Sequence, residues 1–210
     1  MKVTKHEHAH MVVDDTTIKL IIDPGVFSSH VAEPDVSAVV ITHGHEDHWT
    51  PDHLTAIRNV NPGVPIYGPY DFAEAAAEFD VIAVAPGDQV EIGGATLKFT
   101  GGEHEPIHED IRVGTNVGVI VNDRFYFPGD SYTRPGHDIE LLAVPIGGPW
   151  FSLAGAVDLI TDVHAPQMIN THDSLLSAAG QAMHSDILRS VAGAWGGTFT
   201  QLDAGEARAF

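Results

Sequence analysis

The chain of 210 residues is long enough to bury a core of its own, and at 43% apolar and 19% charged it has a globular composition, not a disordered one. Ten Lys and Arg against 29 Asp and Glu leave a formal charge of -19. That field repels phosphate backbones and anionic membrane surfaces, so neither nucleic acid nor membrane is an expected partner. The absence of Cys removes disulfides, thiolate nucleophiles, zinc ribbons and iron-sulfur clusters from consideration. The opening MKVTKHEHAH has no apolar signal region, and apolar runs are only a few residues long, so a soluble cytoplasmic protein is expected. A homo-oligomer is compatible with the composition.

Strand-like runs come first: Val3 to Lys5, Met11 to Val13, and Thr17 to Ile22, which Asp23-Pro24-Gly25 stops. A further apolar strand, Ser37 to Thr42, empties into His43-Gly44-His45. Thr50 is placed to cap a helix with Pro51 at its first position and Leu54 and Ile57 on its buried face. Pro65 to Tyr67 reads as a strand. Asp71 followed by Glu74 has the pattern of a capping box for a helix burying Phe72, Ala75, Ala76 and Phe79, and Val81 to Val84 follows as a strand. Gln89 to Thr100 reads as two strands joined at Gly93-Gly94, and Asn122-Asp123 as the turn of a hairpin between Val117 to Val121 and Phe125 to Phe127.

After Pro128-Gly129-Asp130 comes the apolar strand Ile139 to Pro145. Ser152 then caps a helix carrying Leu153, Ala156, Val157 and Ile160, which Pro166 ends. Met168 to Asn170 forms a short strand before Thr171-His172-Asp173. A last helix, Ala178 to Ala192, is predicted to turn Met183, Ile187 and Val191 inward, and Gly196-Gly197 leads to a final strand. Strands and helices mixed throughout, with no low-complexity linker, predict one α/β domain over residues 1–210 whose halves share a layout without a sequence repeat.

The 14 His are about three times the ~2% usual for a domain, and their placement carries the chemistry. His43, His45, Asp47 and His48 put three imidazoles and a carboxylate within six residues. This nitrogen and oxygen donor set suits Zn(II), Fe(II) or Mn(II), and without a cation so many such groups in one loop would repel or go unsolvated. Asp130 and His172 likewise stand at strand ends, where α/β folds place their sites.

The HxHxDH loop after an apolar strand resembles the first motif of the metallo-β-lactamase superfamily, and the resemblance extends over nearly the whole chain. Asp23 in IIDPG is similar to the family's early strand-end aspartate, Asp130 in FPGDS to its bridging aspartate, and His172 in INTHD to its last ligand. The third-motif histidine falls in GGEHEPIHED, where His104 and His108 are both candidates; His104 is nearer the strand end, which leaves His108 as a proton donor. KHEHAHMVV and the small size are most similar to the branch holding ascorbate phosphate lactonases and uncharacterised metal-dependent hydrolases.

The resemblance implies an αββα sandwich, two facing mixed sheets with helices outside. It also implies two divalent metal ions, Zn(II) first and Mn(II) or Fe(II) as alternatives: His43, His45 and His104 on one, Asp47, His48 and His172 on the other, and Asp130 bridging. The implied reaction is hydrolysis of a small-molecule ester, lactone or phosphate ester by a water shared between cations about 3.5 Å apart, with Asp47, Asp130 and His108 at the reacting centre. Alternatives are a nucleic-acid phosphodiesterase of the same superfamily, which would need a basic surface this chain lacks, and a metal-binding protein without turnover.

Around this set, Asp23 and Asp173 are candidates to orient a ligand imidazole. His8 matches a family histidine at the start of the second strand and reads as a pocket or a core residue, and Trp150 reads as a buried aromatic, with a pocket wall as the alternative. His6, His10, His30, His53, His137, His164 and His184 read as surface or structural residues.

Overall fold

The structure is a computed structural model that describes residues 1–29 and 32–210, so His30 lies outside the described residues. Along its strands, side chains point alternately to opposite faces, and here both faces are apolar. Met11, Val13, Leu20, Ile22, Ala38 and Val40 enter one buried cluster, while Val12, Ile21, Val39 and Ile41 enter another. In the second half, Leu141 and Ala143 join the first of these clusters, and Leu142 and Val144 face a third. Strands apolar on both faces must lie between two other layers, and the three clusters are the seams of a four-layer molecule.

The first sheet has seven strands in the order β14 (Glu206–Ala209), β1 (Lys2–Lys5), β2 (Met11–Asp14), β3 (Lys19–Ile22), β4 (Ala38–Val40), β5 (Ile66–Gly68) and β6 (Ile82–Ala83). Pairing is antiparallel up to β3 and parallel from β3 to β6. The second sheet repeats the scheme: β7 (Gln89–Ile92), β8 (Ala95–Gly101), β9 (Val117–Val121) and β10 (Phe125–Phe127) are antiparallel neighbours. From β10, through β11 (Leu141–Pro145) and β12 (Gln167–Thr171), to β13 (Thr198–Thr200), the pairing is parallel. The likeness of layout predicted for the two halves is thus a likeness of topology. Strand β14 has no counterpart in the predicted elements, because its four residues are all exposed and show no alternation.

Helices α1 (Pro51–Val60) and α2 (Tyr70–Ala75) cover the first sheet, and α3 (Leu153–Val163) and α4 (Ala178–Gly193) the second. Thr50 and Ser152 cap α1 and α3 through their hydroxyls, which accept from His53 N and Gly155 N. Three expectations need correction. Asp71 does not cap α2. It lies inside the first turn, Pro69 stands at the cap, and the carboxylate instead accepts the Thr115 backbone N–H at 2.9 Å. Helix α3 ends at Val163, before Pro166, with His164 in the left-handed region.

Helix α4 turns a different face inward: Met183 and Ile187 are 55% and 37% exposed, and Ser185, Leu188 and Ala192 are buried. It packs against α3 and β13 through that face, and Val191, also expected inward, is partly buried against the same cluster. Among the described residues no helix is long and apolar enough to cross a membrane.

Candidate metal centre

All the predicted ligands leave the sheets at one rim. Asp23 follows β3, residues 42–48 follow β4, His104 follows β8, Asp130 follows β10 and His172 follows β12. Two glycines let these loops touch. A Cβ on Gly25 would stand 1.8 Å from the Asp47 carbonyl oxygen, so only glycine lets the 23–28 segment lie on the histidine loop. Gly129 has φ +66°, and a Cβ there would stand 2.3 Å from Asn116 Oδ1 and 2.8 Å from Thr42 Cβ. At this point the sheets are bonded directly, Val117 N donating to Thr42 O at 2.9 Å. Asn116 fixes the turn by accepting Asp130 N at 3.0 Å and donating to Pro128 O at 2.9 Å. His8, Asp23 and His172 also have left-handed backbone, with φ of 60°, 48° and 59°.

The imidazoles are oriented by their Nδ1 atoms. His48 Nδ1 donates to Asp23 Oδ2 at 2.7 Å, His172 Nδ1 to Gly147 O at 2.8 Å and His104 Nδ1 to Glu105 O at 2.6 Å. His43 Nδ1 lies 3.1 Å from Thr42 Oγ1, which in turn donates to Asp23 Oδ2 at 2.6 Å. With a hydrogen committed to Nδ1, each of these rings turns Nε2 towards the cluster, where it can hold either a proton or a cation. The Nε2 atoms of His48, His104 and His172, together with Asp130 Oδ1, are buried and have no hydrogen-bond partner. A buried acceptor left unmatched is costly, and several aimed into one space are what a cation would satisfy.

The donor atoms fall into overlapping groups: His43, His45 and His104; His43, His48 and Asp130; and Asp47, His48 and His172 with His8. Within each group they lie within 4.8 Å of one another. Asp130 is at the centre. Its Oδ2 lies 3.1 Å from His172 Nε2 and 3.3 Å from His104 Nε2, and its Oδ1 lies 3.2 Å from His48 Nε2. Trp150, a buried ring, donates its Nε1–H to Asp130 Oδ2 at 2.6 Å.

Electrostatics are correspondingly strained. Burial raises Asp130, but the charges of His172, His48 and His43 outweigh it and hold the carboxyl well below the usual range. Burial lowers His172, yet the Asp130 carboxylate beside it pushes the ring up to about 9. Asp47 is likewise lowered, its burial outweighed by the His172 ring 3.5 Å away, the hydrogen bond from His8 and the charge of His48. Burial, with the charges of His172 and His48, pulls His8 down to about 4 against its hydrogen bond to Asp47. A cluster that pulls protons onto its imidazoles will also pull in a cation.

His43, His45, Asp47, His48, His104, Asp130 and His172 therefore come together, with half-buried His45 and Asp47 towards solvent. His108 does not join them. Its side chain is 58% exposed, Nδ1 accepts the Asp110 N–H, and its neighbours are Glu109 and Asp110. Asp23 orients a ligand-type imidazole as predicted, whereas Asp173 pairs with buried Lys5 at 2.8 Å and accepts from Asn170.

Other histidines serve structure: His53 Nδ1 donates to Pro24 O, His184 Nδ1 donates to Ile146 O, and His164 caps α3. Sequence reasoning missed Thr42, Asn116 and Lys5; it read Trp150 as a buried aromatic, which it is, but not as a donor to Asp130. The signal for Trp150 was its place in Gly147-Gly148-Pro149-Trp150, directly after a buried strand.

Two facing seven-stranded sheets with helices outside and a histidine-rich rim define the metallo-β-lactamase fold. The family model described as a beta-lactamase superfamily domain matches residues 2–172, and the chain belongs to that superfamily. It is similar to Protein Rv0786c of Mycobacterium tuberculosis, 29% identical over 192 residues covering 88% of this chain and 89% of that protein. It is also similar to the UPF0173 metal-dependent hydrolase MJ1163 of Methanocaldococcus jannaschii, 28% identical over 176 residues, 79% of this chain and 68% of that one. Among solved structures, Igni18, a metallo hydrolase from Ignicoccus hospitalis, superposes with a TM-score of 0.74 at 18% identity, covering 100% of this chain and 98% of that chain.

Proposed function

We propose that this metal-dependent hydrolase holds two divalent cations and cleaves a small ester, lactone or phosphate ester. His43, His45 and His104 would hold one ion and Asp47, His48 and His172 the other, with Asp130 between them. The observation that carries the reading is the convergence of the buried Nε2 atoms of His48, His104 and His172, none with a hydrogen-bond partner, on the two oxygens of Asp130. Nitrogen-rich donor sets of this kind suit Zn(II) first, with Mn(II) and Fe(II) compatible. Cations bound there would supply Lewis acidity, lowering the pKa of water and stabilising negative charge on a carbonyl or phosphoryl oxygen.

The chain's own residues do the positioning. Asp23 and Thr42 hold two imidazoles in one tautomer, and Trp150 fixes the Asp130 carboxylate. Phe27, 40% exposed, packs edge-on against the His8 ring, and Leu175, 51% exposed, follows Ser174, whose N–H meets His8 Nδ1. Such a rim suits a neutral or singly charged substrate with a small apolar group, and the net charge of -19 disfavours polyanions.

The test is turnover of a panel of p-nitrophenyl esters, lactones and bis-p-nitrophenyl phosphate by protein loaded with Zn(II) or Mn(II), before and after chelation. Chelator-sensitive turnover of a small substrate is expected, with elemental analysis giving close to two ions per chain. Efficient cleavage of structured RNA at physiological salt, with the small substrates untouched, would replace this reading by a nuclease.

A further inference from the structure

His8 lies in the connection between β1 and β2, outside every ligand-bearing loop, yet its carbonyl and both ring nitrogens are engaged with neighbours of the cluster. Its carbonyl accepts from His172 N at 2.9 Å and from Thr171 Oγ1 at 3.3 Å. Its Nδ1 accepts the Ser174 N–H at 3.3 Å. A backbone N–H can only donate, so Nδ1 carries the lone pair and Nε2 the hydrogen. That hydrogen is given to Asp47 Oδ2 at 3.1 Å. The ring is buried, lies 3.8 Å from the His172 ring, and is covered at its edge by Phe27.

An imidazole with hydrogen on Nε2 and a hydrogen bond accepted at Nδ1 has no lone pair left for a cation. Proximity to Asp47, His48 and His172 therefore does not make His8 a ligand. We propose instead that His8 is the positioning residue of the second cation site. It ties Asp47 of the first sheet to the His172–Ser174 turn of the second and so sets the separation of two ligands that come from different layers. Asp173 in the same turn is held by Lys5 of β1, so that turn is anchored from both ends of the β1–β2 connection. This inference rests on the reading in which Asp47 and His172 hold a cation.

Titration calorimetry with Zn(II), and d–d absorption of the Co(II)-loaded protein, test it on wild type and on His8→Ala, His8→Gln and His8→Asn. In His8→Gln the amide nitrogen takes the place of Nε2 and donates to Asp47. In His8→Asn the shorter amide can meet Ser174 N but not Asp47, and Asn tolerates the left-handed backbone, so its fold is retained. Wild type should bind two ions. His8→Ala and His8→Asn should keep the first and lose about 10 to 100-fold in affinity for the second, with His8→Gln restored close to wild type.

Equal affinity for the second ion in wild type and His8→Asn would overturn the proposal alone. A His8→Gln variant as weak as His8→Ala, with an altered Co(II) spectrum, would overturn it too and make His8 a ligand. Fewer than two ions on wild type would overturn the two-cation reading and, with it, this inference.

Discussion

Asp130→Asn separates the demand for a cation from the demands of folding. The side chain keeps its shape, and the amide oxygen still accepts from Trp150 Nε1, which now stands 2.6 Å from the carboxylate. The amide then faces His48 Nε2, 3.2 Å from Oδ1 in the native chain, without the negative charge that, with Asp23, draws a proton onto that ring. The metal-free variant should therefore stay folded and melt somewhat lower than the metal-free wild type, because the carboxylate's pairing with His172 and His48 is lost. Cation binding should collapse. Charges about 3.1 Å apart, the separation of Asp130 and His172, interact by about 5 kcal/mol at an effective dielectric of ~20. Losing an interaction on that scale weakens binding by more than about a thousandfold. Elemental analysis after equilibration with Zn(II), thermal melts with and without metal, and ester turnover read the three effects. An Asp130→Asn protein that retains two ions and native turnover would refute the bridging role.

The remaining predictions concern other parts of the site. His104→Ala should lower metal affinity and turnover by about a hundredfold or more, while His108→Ala, at an exposed position, should stay within about twofold; a reversed order would reassign the ligand. Chelation should lower the melting temperature: an ion held at about 100 times its Kd contributes about 2.7 kcal/mol, or about 5 to 11 °C in a chain of this size, and unchanged melts would count against resident cations. Because Asp130 pushes His172 up to about 9 against the effect of burial, its ring is protonated in the metal-free protein at pH 7, so cation uptake should release protons and tighten as pH rises towards 9. Calorimetry in two buffers of different ionisation enthalpy measures that release, and none at pH 7 would contradict it. Lys5→Met leaves Asp173 buried without its cation and should cost about 3 to 5 kcal/mol, read from the urea midpoint.

The fold was legible wherever one physical signal dominated. Runs such as Ala38–Val40 and Leu141–Pro145, apolar without a break, can only be strands between two layers, and Thr50-Pro51 and Ser152 mark helix starts by side-chain chemistry. Legibility failed where a partner distant in sequence decides. Asp71 has the form of a cap, but Thr115 of the other half claims its carboxylate. Met183 and Ile187 have the spacing of a buried stripe, yet α4 packs on α3 and β13 through Ser185, Leu188 and Ala192. The exposed strand β14 exists because β1 offers it an edge. In the site the same division holds: ligand types at strand ends could be read locally, but His104 and His108 sit in one loop and only the folded backbone turns one inward. Trp150, Asn116 and His8 act through hydrogen bonds across the sheets, for which a single sequence carries no spacing rule.

Of the eight non-glycine residues with left-handed backbone among the described residues, His8, Asp23 and His172 stand at the rim. An L-residue with a Cβ pays about 1 to 2 kcal/mol for that conformation, and glycine avoids it. The strain has a practical meaning for anyone improving this protein. A design procedure that scores backbone conformation alone would choose Gly or Asn at all three corners, and would remove with them the carboxylate that holds Thr42 and His48 and the imidazoles of His8 and His172. Positions 8, 23 and 172 should therefore be held fixed in any stabilised version, and robustness sought at left-handed corners far from the rim, such as Asp35 and Asp80.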